Sequence, residues 1–127
     1  MLKTRPSCAF KDARGEITDI LAKEPVEYVT LISSKKAAVR GNHYHKETVQ
    51  FNYVLSGRMQ LLSQTPGDKV ISTILESGDL AVTPAGERHA LIALEDSTFM
   101  VFTRGPRGGE DYEKDTFRLP TPLKLED

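Results

Sequence analysis

Residues 49–64 read VQFNYVLSGRMQLLSQ, two runs rich in aliphatic and aromatic residues with one glycine between them. Along the first run Gln50, Asn52 and Val54 fall on one side and Phe51, Tyr53 and Leu55 on the other, the two-residue period of a strand. Neither side is wholly polar, so both are expected to be covered. Gly57 supplies the backbone freedom for a sharp turn, and Ser56-Gly57 is expected to join residues 49–56 and 59–64 as a hairpin.

Outward from that pair, similar runs lie at residues 16–21, 26–33, 37–40, 70–75, 80–83, 89–94 and 98–103. They are separated by turn formers such as Thr65-Pro66-Gly67-Asp68 and Pro84-Ala85-Gly86, and helical periodicity is almost absent. Regularly spaced short strands predict an all-β fold, a closed barrel or jelly roll spanning residues 1–127 as one domain. Residues 104–111 contain Gly105, Pro106, Gly108 and Gly109, which predicts a flexible loop. Arg107 within it is a residue that can fold over a phosphate or merely accompany a mobile Gly-Gly. The tail beyond, with Pro120 and Pro122, is expected to lie extended on the barrel surface.

Among the 127 residues, 17 Lys and Arg nearly cancel 18 Asp and Glu, leaving a formal net charge of −1. That balance removes the broad positive field that nonspecific binding to nucleic acid or an acidic membrane requires. No run approaches the roughly 20 apolar residues of a membrane span, and the first fifteen residues carry scattered charges without an apolar signal core. Cys8 is the single cysteine, so no intrachain disulfide can form and a reducing cytoplasm is the expected compartment.

The three histidines are His43, His45 and His89. In a strand, residues two apart share a face, so His43 and His45 present two imidazoles side by side. Alone, such a pair is also what two half-exposed polar strand residues look like. A third imidazole from another strand would complete a facial set able to hold Zn²⁺, Fe²⁺, Ni²⁺ or Mn²⁺ with open positions for a small-molecule substrate. Gln50, five residues after His45, adds an amide oxygen, a weaker ligand than a carboxylate because it brings a dipole and not a charge.

The spacing His43-x-His45-x4-Gln50-x6-Gly57, followed by Gly78-x5-Pro84-x-Gly86-x2-His89, resembles the paired motifs of the cupin superfamily across residues 41–93. The first block covers about 41–57 and the second about 78–93. The chain departs from the pattern at Gln50, where a glutamate is usual, at Gly41, which lies close to the histidines, and at Ala93, in place of a frequent asparagine. The resemblance implies a cupin-type double-stranded β-helix whose cavity gathers the motif histidines, and a metal set of His43, His45, Gln50 and His89, with Gln50 at the usual glutamate position.

A narrower likeness surrounds these blocks. Asp12-x-Arg14-Gly15 and Arg40-Gly41-Asn42-His43-Tyr44-His45-Lys46 resemble the sugar-nucleotide branch of the cupins, which includes deoxysugar 3,5-epimerases, 3,4-ketoisomerases and capsule-biosynthesis domains. That resemblance implies isomerisation or epimerisation of a nucleotide-linked keto-deoxysugar in polysaccharide biosynthesis, with His43 and His45 in acid–base roles and Arg40 on negative charge. Tyr53, with Tyr28 and Tyr44, is a candidate hydrogen-bond partner of the substrate. Ketoisomerases of this branch are metal-free as a family, whereas the intact second block favours a metal-holding cupin, and both inferences draw on the same residues. A metal-dependent oxygenase and a non-catalytic sugar-binding module are the rival functions. By the same resemblance a homodimer is expected, with an N-terminal strand or the 112–125 tail at the contact.

Overall fold

The computed structural model describes residues 2–106 and 109–125. Its elements are β1 (Leu2–Thr4), β2 (Cys8–Asp12), β3 (Gly15–Thr18), β4 (Tyr28–Ser34), β5 (Val39–Tyr44), β6 (Val49–Ser56), β7 (Arg58–Gln64), β8 (Ile71–Glu76), β9 (Leu80–Thr83), β10 (Arg88–Ala93), β11 (Ser97–Arg104), the short helix α1 (Gly109–Lys114) and β12 (Phe117–Arg118). Two antiparallel five-stranded sheets, ordered β1-β9-β6-β11-β4 and β12-β5-β10-β7-β8, face each other as a jelly roll, and β2-β3 form a separate hairpin. The all-β expectation holds.

The join at Ser56-Gly57 is not a hairpin. Strand β6 pairs with β9 and β11 in one sheet, while β7 pairs with β8 and β10 in the other, so Gly57 marks a corner where the chain changes sheets. Gly57 takes φ +92°, and a Cβ there would run into the Asp96 carbonyl and Ser97. Alternation alone cannot distinguish the two outcomes, because a corner and a hairpin both ask for glycine. The hairpin proper is β7-β8, closed around Pro66 and Gly67. Strands β1 and β2 escape sequence reading because Lys3, Lys11 and Asp12 break up the apolar pattern. Of the expected flexible loop over 104–111, Arg104 still belongs to β11 and Gly109 opens a helix, while Arg107 and Gly108 lie outside the described residues.

The inner faces change character along the strands. On one sheet Val54 lies opposite Phe99, Asn52 opposite Val101, and Gln50 opposite Thr103; on the other, Ala93 faces Met59, Leu91 faces Leu61, and His89 faces Ser63. Val54, Met59, Leu61, Leu75, Ala81, Phe99 and Val101 form the apolar end, with Ile32 and Leu91 packed against it. Each large side chain buried there contributes about 1.5–3 kcal/mol by leaving water. The opposite end is polar and holds the histidines.

Their aim depends on an irregularity in β5. Residues Gly41 and His43 pair with Ala90 and His89, so Asn42 is an extra residue, a β-bulge. Gly41 has φ +94° and Asn42 φ +57°. Asparagine is among the few side chains that enter this left-handed region readily. The bulge also leaves Asn42 reaching outward, where its backbone carbonyl accepts from Leu119 N at 2.9 Å and its Oδ1 accepts from Leu123 N at 2.9 Å. The tail is thereby strapped along β5, as expected for an extended surface segment, and Phe117 stacks on Tyr44 with ring centroids 5.2 Å apart.

A Cβ at Gly41 would sit 2.8 Å from the His89 carbonyl and 3.2 Å from Ala90 Cα. Gly41→Ala should therefore lower stability by about 2–4 kcal/mol, by strain and backbone collision together. Gly67→Ala has the strained φ of +91° but meets nothing within 4 Å, and should lose only about 1 kcal/mol. Thermal melts of the two variants check the difference.

Candidate functional site

Strand β5 delivers His43, the residue just past its end is His45, and β10 brings His89 directly opposite His43. Ring centroids are 4.7 Å apart for His43–His45, 4.7 Å for His43–His89 and 5.5 Å for His45–His89. One nitrogen of each ring lies within 4.8 Å of the others. His43 is half-buried, whereas His45 and His89 are 2% and 5% exposed. The three imidazoles thus meet in one place, as the spacing of the two motif blocks implies.

Two of the rings are held by backbone carbonyls. His45 Nδ1 lies 2.8 Å from the carbonyl oxygen of Asp115, and His89 Nδ1 lies 3.3 Å from that of Glu87. A carbonyl can only accept, so each Nδ1 carries a proton and donates, and the ring in its neutral form keeps its lone pair on Nε2. Burial, followed by the proximity of His43 and His45, lowers the His89 pKa to about 3, against a weaker upward push from the Glu87 hydrogen bond. His89 is consequently neutral throughout the physiological range, suited to accept a hydrogen bond or to ligate, and unsuited to store a proton.

His43, His89 and Gln50 line a cavity of about 310 Å³, with Arg40, Asn52 and Tyr112 also on its wall. Arg40 reaches it because of the bulge: Arg40 lies opposite Leu91 and His43 opposite His89, and Leu91 and His89 share a face. Without the extra residue, positions three apart on a strand would face opposite ways. The Arg40 guanidinium donates to Ser34 Oγ at 2.8 Å and to the Ser33 carbonyl at 3.0 Å, using two of its five N–H groups.

Two expectations change. Tyr53 lies on the face of β6 opposite Gln50 and Asn52, because strand side chains alternate, and is not on the cavity wall. Tyr44 is likewise engaged elsewhere, stacked on Phe117. Tyr28 lines a second cavity beside Lys46 and Phe117. Arg88 points away from the histidines, over the Tyr44 ring, as the alternation with His89 predicts.

Sequence reading missed Tyr112, Asp115 and Arg118. Tyr112 brings its ring within 5.7 Å of His45 and 6.4 Å of His43, centroid to centroid. Arg118 also lines the cavity, paired with Glu113 through two 3.0 Å contacts. These residues lie in the segment read as loop and tail, where no periodicity marks which side chains turn inward.

The donor set suits a divalent ion: three imidazole nitrogens converge, two have their Nδ1 atoms already committed to carbonyls, and the Gln50 amide lies on the same cavity. His43, His45 and His89, with Gln50 as a weaker oxygen donor, are the residues that would hold it.

Because the folded pKa of His89 lies below the unfolded value of about 6.5, the unfolded chain binds more protons between these limits. Stability is fully present above that unfolded value and is lost as pH falls toward the folded one, by up to about 1.4 kcal/mol per pH unit. Melts of chelator-treated protein across this window should show the slope, and His89→Gln should flatten it.

Comparison with known proteins adds a family and a fold. A dTDP-4-dehydrorhamnose 3,5-epimerase from Sulfolobus tokodaii superposes with a TM-score of 0.74 at 21% identity, covering 98% of this chain and 84% of its own. The sugar 3,4-ketoisomerase QdtA from Thermoanaerobacterium thermosaccharolyticum, solved in complex with TDP, gives 0.76 at 17% identity, over 94% of this chain and 88% of that one. The capsular polysaccharide assembling protein CapF from Staphylococcus aureus gives 0.64 at 21% identity, over 88% of this chain and 34% of that one. No curated protein matches by sequence. Among the described residues no helix is long and apolar enough to cross a membrane. The cupin domain profile matches residues 30–103, more than half of the chain, and the protein therefore belongs to the cupin domain family.

Proposed function

We propose that this cupin isomerises or epimerises a nucleotide-linked 4-keto-6-deoxysugar in polysaccharide biosynthesis. The observation that carries the reading is the convergence of His43, Tyr112 and Arg40 on one cavity backed by the other two imidazoles. It is supported by the fold shared with a 3,5-epimerase and a 3,4-ketoisomerase.

The chemistry follows from the groups present. A proton on C3, next to the C4 ketone, is acidic enough for a neutral imidazole to remove; His43, on the cavity wall, is the base, and His45 beside it is its acid–base partner. The electron pair released from the C3–H bond forms the C3–C4 double bond of an enediolate, with the negative charge on the C4 oxygen. For isomerisation the C3 hydroxyl gives its proton to the C4 oxygen, the negative charge collapses from the C3 oxygen to form the C3 ketone, and the C3–C4 double-bond electrons take a proton at C4; for epimerisation the C4 ketone re-forms as those electrons take a proton on the other face of C3. Tyr112, on the same cavity wall, is the proposed donor of that proton. Arg40 holds the negative charge of the enediolate or of the diphosphate, with its guanidinium braced by Ser33 and Ser34. A divalent ion such as Zn²⁺, Fe²⁺, Ni²⁺ or Mn²⁺ at the histidines would supply Lewis-acid polarisation of the substrate carbonyl.

The acting species is proposed to be a cytoplasmic homodimer. Hairpin β2-β3 is exposed at every residue and joins neither large sheet, although two-stranded hairpins are marginal by themselves. Phe10 and Ile17 on it are 53% and 59% exposed, and on the edge strand β4 Val29 and Leu31 are 60% and 66% exposed. A second copy covers an apolar sheet edge of this kind and removes its unpaired backbone groups from water.

Pure protein incubated with a dTDP-4-keto-6-deoxyhexose in D₂O should place deuterium at C4 of an isomerised product or at C3 of an epimerised one, and His43→Asn should slow incorporation by roughly 100-fold or more. Ligand-induced stabilisation without exchange would mark a binding module instead. Oxygen consumption on adding Fe²⁺ would mark an oxygenase. Sedimentation should give a dimer that Leu31→Asp converts to monomer, and a monomeric parent protein would refute that assembly.

A further inference from the structure

Asp115 grips the site in two ways at once. Its carboxylate, 6% exposed, receives Lys46 N at 3.0 Å, Glu47 N at 3.1 Å, Thr48 N at 2.9 Å and the Thr48 hydroxyl at 2.8 Å. Three consecutive backbone N–H groups and a hydroxyl thus enclose one carboxylate, and they belong to the three residues that follow His45. The backbone carbonyl of the same Asp115 takes the Nδ1 proton of the His45 ring at 2.8 Å. Side chain and main chain of one residue therefore hold both the turn behind His45 and its imidazole. Tyr112 lies three positions earlier, and its carbonyl receives Asp115 N at 3.2 Å.

We propose that Asp115 is a positioning residue that selects the Nδ1–H tautomer of His45, leaving Nε2 as the acceptor toward the histidine cluster, and sets Tyr112 in register with it. The carboxylate is required because all its partners are donors. An amide in its place would offer one oxygen and turn its NH₂ group against the backbone N–H of either Lys46 or Thr48, pushing the 115 carbonyl off the ring. The consequence for catalysis rests on the acid–base reading above; the tautomer does not, and a metal on Nε2 would leave Nδ1 protonated as before.

The test is long-range ¹⁵N–¹H correlation NMR of the imidazoles in the full chain at about pH 8, where an ordinary histidine is neutral, with His45 assigned through His45→Gln. The parent protein should show His45 protonated at Nδ1. In Asp115→Asn the His45 signals should move to a mixed or Nε2–H population. Deuterium incorporation into the keto-sugar should fall roughly 10- to 100-fold in kcat, with KM changing less than about twofold. An Nε2–H tautomer in the parent overturns the proposal, as does a folded Asp115→Asn with lowered melting temperature and unchanged His45 signals, which would mark a purely structural residue. If Asp115→Asn does not fold, Thr48→Val removes one donor and should shift the same signals in part; unchanged signals there overturn it equally. A tautomer that shifts as expected in a protein inert toward the keto-sugar supports the positioning role and sinks the sugar reading alone.

Discussion

The extra residue in β5 is the constraint on which the site depends. With Asn42 bulged out, His43 comes level with His89, and Arg40 turns to the same interior face three residues earlier. One insertion thereby places a cation and two imidazoles around one cavity that a regular strand would have split between the inside and the outside. The strained φ values at Gly41 and Asn42 are tolerated because glycine has no Cβ to strike the His89 carbonyl and asparagine accepts the left-handed region. The tail then anchors the bulge, since Asn42 receives hydrogen bonds from both Leu119 and Leu123.

The division of the barrel into an apolar and a polar end lets stability and chemistry occupy different places. Phe99, Met59 and Leu61 are buried at one end, with Phe99 also flooring the cavity. At the other, Gln50, Asn52, Thr103 and His89 are buried, and each needs a partner if its desolvation is not to weaken the fold. Asn52 finds one in the Ala81 carbonyl at 3.1 Å, and the two most buried histidines find theirs in carbonyls of residues 87 and 115. These partners are themselves fixed by backbone geometry, so ring orientation is settled before any ligand arrives. A preorganised set of this kind serves proton transfer and metal ligation equally well, because both need Nε2 presented at a fixed angle.

A second theme is the reach of the C-terminal segment. Residues 112–125 supply Tyr112 to the cavity, Asp115 to the turn after His45, and β12 to the edge of the histidine-bearing sheet. The proximity of Glu113 and Arg118 adds an ion pair across this segment, although at the exposed surface such a pair contributes little to stability. Its effect is more local: it fixes where the Arg118 guanidinium stands at the cavity mouth.

The sequence by itself determined the strand-rich class, the turn positions, the face shared by Gln50, Asn52 and Val54, and the three histidines as one set. The first three are written in local period and in residue type, and the union of the histidines follows from the resemblance of the two distant blocks to the paired cupin motifs. It did not decide whether Gly57 closes a hairpin or turns a corner between sheets, that Tyr53 faces away from the cavity, or that Arg40 faces into it. Nor did it show Tyr112 and Asp115 closing over the site, because the segment around them has no period from which an inward side could be read. Tertiary structure decided these points through non-local contacts. A bulge is defined only against the partner strand, and a carboxylate finds three backbone N–H groups some seventy residues away only once both sheets have closed.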